Sequence, residues 1–295
     1  MSPRLNLDAV QSFSVFADSM NFSAAAAALY ISQPALHVKI RKLAEQLGLP
    51  LYTRLGRRLA LTTHGEAVAR YGRESLARTQ AFMQELQTGH QALPVTMAAG
   101  DGAYLYLLGP AIQRHLRRAS SPTTLLTLDR ESAIAAVRAG KAGLAVAPLE
   151  TIPPDLEATL LTTVGQVLVV PKGHALAKKK TLKLRDLAGV RLVVPAAGRP
   201  HREMLSRMLQ SAGVNWEVAV EASGWELMLQ FVKLGAGMAV VNACCNIPKG
   251  FVAVPLPDLP SLSFHIFHLR GQSREGDWLL LKNALLEWRD AWKAR

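Results

Sequence analysis

Leu36, Ile40, Leu43 and Leu47 recur at intervals of four, three and four residues, the repeat of one buried helical face. Ser32 stands where a hydroxyl can cap that helix, Pro34 falls in its first turn, and Gly48 supplies its stop. Gln33, Pro34, His37, Val38 and Arg41 fall on the opposite face. Before the Tyr30–Ile31 turn, Ala24 to Ala28 form a helical run of almost no bulk, with Ser23 as its expected cap. Val10, Phe13, Phe16 and Ala17 mark an earlier helix over about residues 8–20, read from the same spacing. After Gly48, Leu51-Tyr52 and Leu59-Ala60-Leu61 are set to pair across a loop bearing Arg54, Arg57 and Arg58. Three helices, the last two joined by a tight turn, followed by a basic hairpin predict a winged helix-turn-helix.

Thr63 and Glu66 have capping-box spacing and predict a long helix to about Gln87. Its apolar positions are Val68, Ala69, Leu76, Phe82, Met83 and Leu86. Gly72, Ser75 and Thr79 interrupt the stripe, so the spacing is a weak coiled-coil signal. From Pro94 strands and helices alternate. Strands are predicted over 95–99, 125–128, 143–147, 166–170, 191–194, 217–220, 238–242, 251–254 and 263–269. Helices are predicted over 103–118, 132–139, 201–212 and 225–234, with a last one from Asp277. The alternation predicts α/β subdomains with mainly parallel sheets.

Ligands in open α/β sheets bind beyond the carboxyl ends of the strands. That rule selects Asp101, Gly102 and Ala103, then Asp129 and Arg130, then the loop carrying Gly198, Arg199, Pro200, His201 and Arg202, and also Glu221 and Asn242. The 196–202 loop offers helix-start amides beside Arg199, His201 and Arg202, which suits a carboxylate or phosphate. Asp101 puts an acid opposite, able to pair with Arg130 or Arg199 or to bind a cationic group. Helix capping and surface pairing alone would also account for these residues.

The net charge of +12 favours a polyanionic partner. Between Gln33 and Arg58, Lys39, Arg41, Lys42, Arg54, Arg57 and Arg58 face a single acid, Glu45. Such charges neutralise phosphates and give affinity, while side chains at the start of the second helix of the motif would read bases. Lys178 to Lys180 read as a solvated loop. With 49% hydrophobic residues the chain is a packed globular protein of two or three domains. It has no bilayer-length apolar run and no signal-peptide core, so a cytoplasmic location is expected.

Cys244 and Cys245 are the only cysteines and read as reduced thiols at a strand end, a redox sensor being the alternative. His265 and His268, three apart in a strand, point to opposite faces and make a poor metal pair. Trp278, Trp288 and Trp292 read as packing. There is no phosphate-binding loop, dinucleotide fingerprint or nucleophile elbow, so no catalytic residue, metal or cofactor is assigned.

Phe22-Ser23-Ala24-Ala25-Ala26, Ile31-Ser32-Gln33-Pro34-Ala35-Leu36, Leu47-Gly48, Leu51-Tyr52-x-Arg54 and Leu61-Thr62-x-x-Gly65 resemble the DNA-binding motif of LysR-type transcriptional regulators. The likeness is strong over about residues 5–90 and extends to the rest in architecture. It implies a winged helix-turn-helix over 1–63 and a linker and dimerisation helix over 64–90. It further implies a two-lobed periplasmic-binding-protein-like effector domain. The first lobe would comprise 91–164 and 249–295, the second 165–248, with crossings near 163–166 and 245–249. Ser32, Gln33, Pro34, His37, Val38, Arg41, Arg54, Arg57 and Arg58 would then meet double-stranded operator DNA. His37 replaces the small Ser usual in the family and Val38 a frequent polar contact, so this chain's operator is its own. The implied assembly is a homodimer through the linker helix, extended to a dimer of dimers, with RNA polymerase as a further partner. The implied control is a small-molecule effector held between the lobes. An effector-independent regulator, its α/β region serving assembly or partner contact, is the alternative reading.

Overall fold

The computed structural model describes residues 5–55, 58–88, 94–271 and 275–293. Helices α1 (Leu7–Ser19), α2 (Phe22–Ala28) and α3 (Gln33–Leu47) and the hairpin β1 (Tyr52–Leu55) and β2 (Arg58–Leu61) form the N-terminal domain. Its core gathers Phe13, Phe16, Leu36, Ile40, Leu43 and Leu51, all essentially inaccessible. Ser32 caps α3 by accepting from Ala35 N at 3.3 Å. The α2 cap is Asn21, not Ser23: its Oδ1 accepts from both Ser23 N and Ala24 N, two residues earlier than expected. Tyr30 takes the left-handed conformation in the turn, at φ 55°.

Helix α4 (Thr63–Thr88) leaves this domain. Its start is capped by Thr62 instead of the expected Thr63–Glu66 box: Thr62 Oγ1 accepts from Gly65 N at 3.0 Å and donates to Pro50 O at 2.6 Å. A Cβ on Gly65 would lie 1.8 Å from Leu51 O, so only glycine lets the helix start this close to the hairpin. Gly72 is no defect in a stripe. A Cβ there would stand 2.8 Å from Val10 O and 2.9 Å from Ser14 Cβ, because α1 crosses α4 at this point.

The C-terminal region has two lobes. In the first, β3 (Val95–Ala99), β4 (Thr123–Thr127), β5 (Leu144–Pro148), β6 (Leu156–Val164) and β12 (Leu262–Leu269) form a sheet ordered β4-β3-β5-β12-β6. It packs on α5 (Asp101–Ala103), a π-helical stretch Tyr104–Leu108, α6 (Gly109–Leu116), α7 (Arg130–Arg138) and α10 (Asp277–Lys293). In the second, β7 (Gln166–Pro171) lies between β10 (Ala239–Asn242) and β11 (Phe251–Pro255). The pair β8 (Arg191–Val194) and β9 (Glu217–Glu221) joins β10 through the parallel Leu192–Met238 bridge. Helices α8 (Pro200–Ser211) and α9 (Trp225–Lys233) cover its two faces.

Sheet direction and the return crossing also differ from expectation. The sheets are mixed: β12 runs antiparallel to β5 and β6, and β7 antiparallel to both its neighbours, leaving β3–β4, β3–β5 and β8–β9 as the parallel strand pairs. The return crossing is also later than 245–249. Strand β11 pairs with β7, and Leu256 and Leu259 complete the second lobe's core, so the chain goes back after Leu259.

The N-terminal domain is fastened to the first lobe. Asp18 Oδ1 lies 2.7 Å from Arg73 Nη2, on α4, and 3.0 Å from Lys141 Nζ, just past α7. Arg73 also donates to Ala139 O, and Arg70 Nη1 to Arg138 O at 3.0 Å, so both guanidinium groups cap the C-terminal end of α7.

Candidate DNA interface and interlobe cleft

Helix α3 turns Leu36, Ile40 and Leu43 inward and leaves Gln33, Pro34, His37, Val38 and Arg41 exposed in one surface. Ser32, exposed itself, is engaged as the cap. Ser23 Oγ donates to Gln33 Oε1 at 2.8 Å, which orients the amide and leaves its N–H donors outward. His37 lies flat on the buried Phe22 ring, centroids 3.6 Å apart and planes 17° apart, and Tyr52 meets Phe22 edge-on. An aromatic floor thus fixes an exposed imidazole, the replacement that the sequence singled out. Val38 and Arg41 face Pro50 and Tyr52 across a cleft of about 310 Å³.

The hairpin sets Arg54 opposite Leu59 and Leu55 opposite Arg58, with Arg54 and Arg58 exposed. Arg57 lies outside the described residues. Lys39 leaves the set of outward cations, since its Nζ is 2.8 Å from Asp8 Oδ2 and donates to Ser12 Oγ. Arg41 remains at the surface beside Glu45, 3.5 Å away. The arrangement presents a helix of major-groove width with polar groups at its start and guanidinium groups beside it.

Between the lobes, the carboxyl ends of the strands do meet, but the residues predicted there divide. Asp101 and Gly102 stand at the mouth; Ala103 is buried in the first lobe's core. Arg130 pairs with Glu150 at 3.5 Å. Asp129 caps α7 by accepting from Ser132 N at 2.9 Å. That hydrogen bond, with a smaller contribution from Arg199 charge, holds its carboxyl below the usual range. On the second lobe, Pro200 opens α8 and Glu221 is exposed at the end of β9. Asn242 Oδ1 is buried and accepts from Gln166 Nε2 at 3.0 Å, tying β10 to β7 at the first crossing.

The 196–202 loop is less of an anion cradle than its sequence suggests. Gly198 N already donates to Glu203 Oε1 at 2.9 Å. The Arg202 guanidinium lies 4.5 Å from the centroid of the Trp216 ring, and its buried Nη1 has no hydrogen-bond partner among the described residues. His201 Nε2–H donates to Val240 O at 3.0 Å, and removal from water pushes its pKa down to about 4, so the ring is neutral at pH 7. Arg199 alone stays exposed with its charge.

Sequence reasoning missed the residues that fill the cleft. A Cβ on Gly102 would fall 2.6 Å from Trp225 Cδ1 and 2.9 Å from Nε1, so the indole at the start of α9 sits directly on the first lobe's backbone. His201 meets that indole edge-on, 4.7 Å between centroids. Tyr106, from the π-helical stretch, packs into the second lobe's cluster with Trp225 and Cys245. Burial pushes its pKa up to about 12, helped by the negative charge of Glu226 and Asp101. Cys244 accepts from the Cys245 thiol, which lowers the pKa of Cys244 and raises that of Cys245; both are free thiols. The available signal was a large aromatic following Ser-Gly at a strand end, read only as a helix start. Among the described residues no His, Cys, Asp and Glu group is arranged to hold a metal, and no helix is long and apolar enough to cross a membrane.

Residues 7–66 match the family model of the bacterial regulatory helix-turn-helix protein, lysR family, and residues 88–288 that of the LysR substrate binding domain. The RuBisCO operon transcriptional regulator of Allochromatium vinosum is 25% identical over 245 residues, covering 81% of this chain and 80% of that protein. A probable RuBisCO transcriptional regulator of Cyanidioschyzon merolae is 28% identical over 253 residues, covering 81% and 82%. A full-length OxyR variant from Pseudomonas aeruginosa superposes with a TM-score of 0.69 at 20% identity, over 96% of this chain and 98% of that one. Full-length CbnR complexed with its target DNA superposes at 0.58 and 18% identity, over 96% and 99%.

Proposed function

We propose that this chain, which belongs to the LysR family of DNA-binding transcriptional regulators, reads its operator with Gln33, Pro34, His37 and Val38 and holds phosphates with Arg41, Arg54, Arg57 and Arg58. The observation that carries this reading is the single exposed face of α3, where Ser23 orients Gln33 and Phe22 carries His37. Oriented donors at a helix start read base edges, whereas guanidinium groups on the hairpin add affinity without sequence information. Exposed Phe82, Met83 and Leu86 on α4 support pairing with a second copy of this chain, and a dimer of dimers would span two half-sites. We place the protein in the cytoplasm, acting beside RNA polymerase.

In this reading a small-molecule effector binds between the lobes and shifts the arrangement of the reader heads through its differential affinity for the two states. An effector-independent regulator is the second reading, favoured by one observation: Trp225 already closes the cleft on Gly102. The DNA interface is tested by measuring operator affinity against salt. Arg54→Ala should lower the slope of log K against log salt by about 1, the value of one lost phosphate contact; an unchanged slope removes the hairpin from the interface.

A further inference from the structure

The interlobe cleft is built for positive charge. Asp101 projects from the first lobe, its Oδ2 3.6 Å from where a Cβ of Gly224 would stand, at the amino end of α9. A helix amino end attracts negative charge but brings no cation to the carboxylate. Two residues on, Glu226 is exposed in the first turn of α9. Among the described residues neither acid has a salt-bridge partner, and the charge of both is felt at the Tyr106 hydroxyl. Of the cations on these loops, Arg130 pairs with Glu150 and Arg202 lies on the Trp216 face, while Arg199 stays exposed and makes no salt bridge to Asp101. His201 carries no charge.

The walls agree with the charge. Trp225, seated on Gly102 next to Asp101, and Tyr106, packed on the same second-lobe cluster, supply aromatic rings, which attract organic cations through ring quadrupoles. The amides that would welcome an anion are compromised, because Glu203 takes the Gly198 N–H. A second, separate observation is Gln166 at the crossing between the lobes. It is 3% exposed, its Nε2 is given to Asn242, and its buried Oε1 has no donor among the described residues. A buried acceptor without a donor is unfavourable, and an N–H-bearing ligand at this end of the sheet relieves that cost.

Resting on the reading of the cleft as the effector site, we propose that its ligand is a protonated organic amine, held by Asp101 and Glu226 against the Trp225 and Tyr106 rings, with Gln166 accepting an N–H. The amine enters by lifting the indole off Gly102, so occupancy changes the contact that joins the lobes. Binding therefore couples directly to lobe closure.

The test uses the full-length protein and two probe series at equal ionic strength: amines from methylammonium to 1,4-diaminobutane, and carboxylates from acetate to succinate. Tryptophan emission and thermal melting are followed together. The expected result is a saturable change with an amine, weakened at least about tenfold in Asp101→Asn and in Glu226→Gln, the loss of one charged contact. The emission change should vanish in Trp225→Phe. Unliganded melting and far-ultraviolet dichroism of each variant establish that it folds, and either carboxamide variant suffices if the other does not. Saturation by carboxylates and not by amines overturns the ligand class and leaves the effector reading standing. Saturation by neither series overturns both, and an amine response unchanged in both carboxamide variants overturns the site.

Discussion

His201 shows how one residue's chemistry departs from what its letter suggests. In sequence it joins Arg199 and Arg202 as a cationic trio; in the fold it is a neutral donor to Val240 O beside the Trp225 edge. Its folded pKa of about 4 lies below the unfolded value near 6.5. The native state therefore binds fewer protons than the unfolded chain between those values. Its contribution to stability is fully present above pH 6.5 and is lost as pH falls toward 4, by up to about 3 kcal/mol. Urea unfolding between pH 7 and pH 4 should show this loss, and His201→Asn should flatten the profile over that window. Equal slopes in both proteins would return His201 to solvent. The same scale explains why Gln33 and Arg41 were legible in the sequence and Lys39 was not. Exposure on α3 follows from helical spacing, but Lys39 is claimed by Asp8 and Ser12 of another helix.

At the scale of elements, local rules place most boundaries to within a residue or two and miss where backbone contacts decide. Thr63 and Glu66 satisfy the capping-box spacing, yet Thr62 does the capping because Pro50 O and Gly65 N converge on its hydroxyl. Thr62→Ala should cost about 1 kcal/mol in chemical denaturation and Thr63→Ala only a few tenths; the reverse order would restore the expected box. Strand β6 escaped the sequence reading because Leu156–Val164 is a Thr-rich edge strand whose apolar and polar positions do not alternate. Strand β11 was legible as a strand, but its letters do not say which sheet it joins. Its pairing with β7 moves the return crossing, since partner choice is a long-range property. Trp225 belongs here too: its helix was predicted, while its seat on Gly102 requires a lobe built from residues far away in sequence.

For the whole molecule, the reader domain meets the first lobe through a few charged contacts that a sequence cannot announce. Asp18 joins α1 to Arg73 of α4 and to Lys141 beyond α7. Exposed ion pairs contribute about 0.2–1 kcal/mol, so Asp18→Asn should barely move the melting temperature. It should instead speed hydrogen exchange at residues 140–142, where the reader domain is fastened to the first lobe. Unchanged exchange would make the contact incidental to how the domains are held. Helix α3 reads a specific sequence, and selection of duplexes from a random library by the full-length protein measures that reading. An interrupted palindrome should emerge, and Gln33→Ala should relax one position in each half-site by about 1–3 kcal/mol. Enrichment of no sequence, or equal weakening of Gln33→Ala on every duplex, would contradict it.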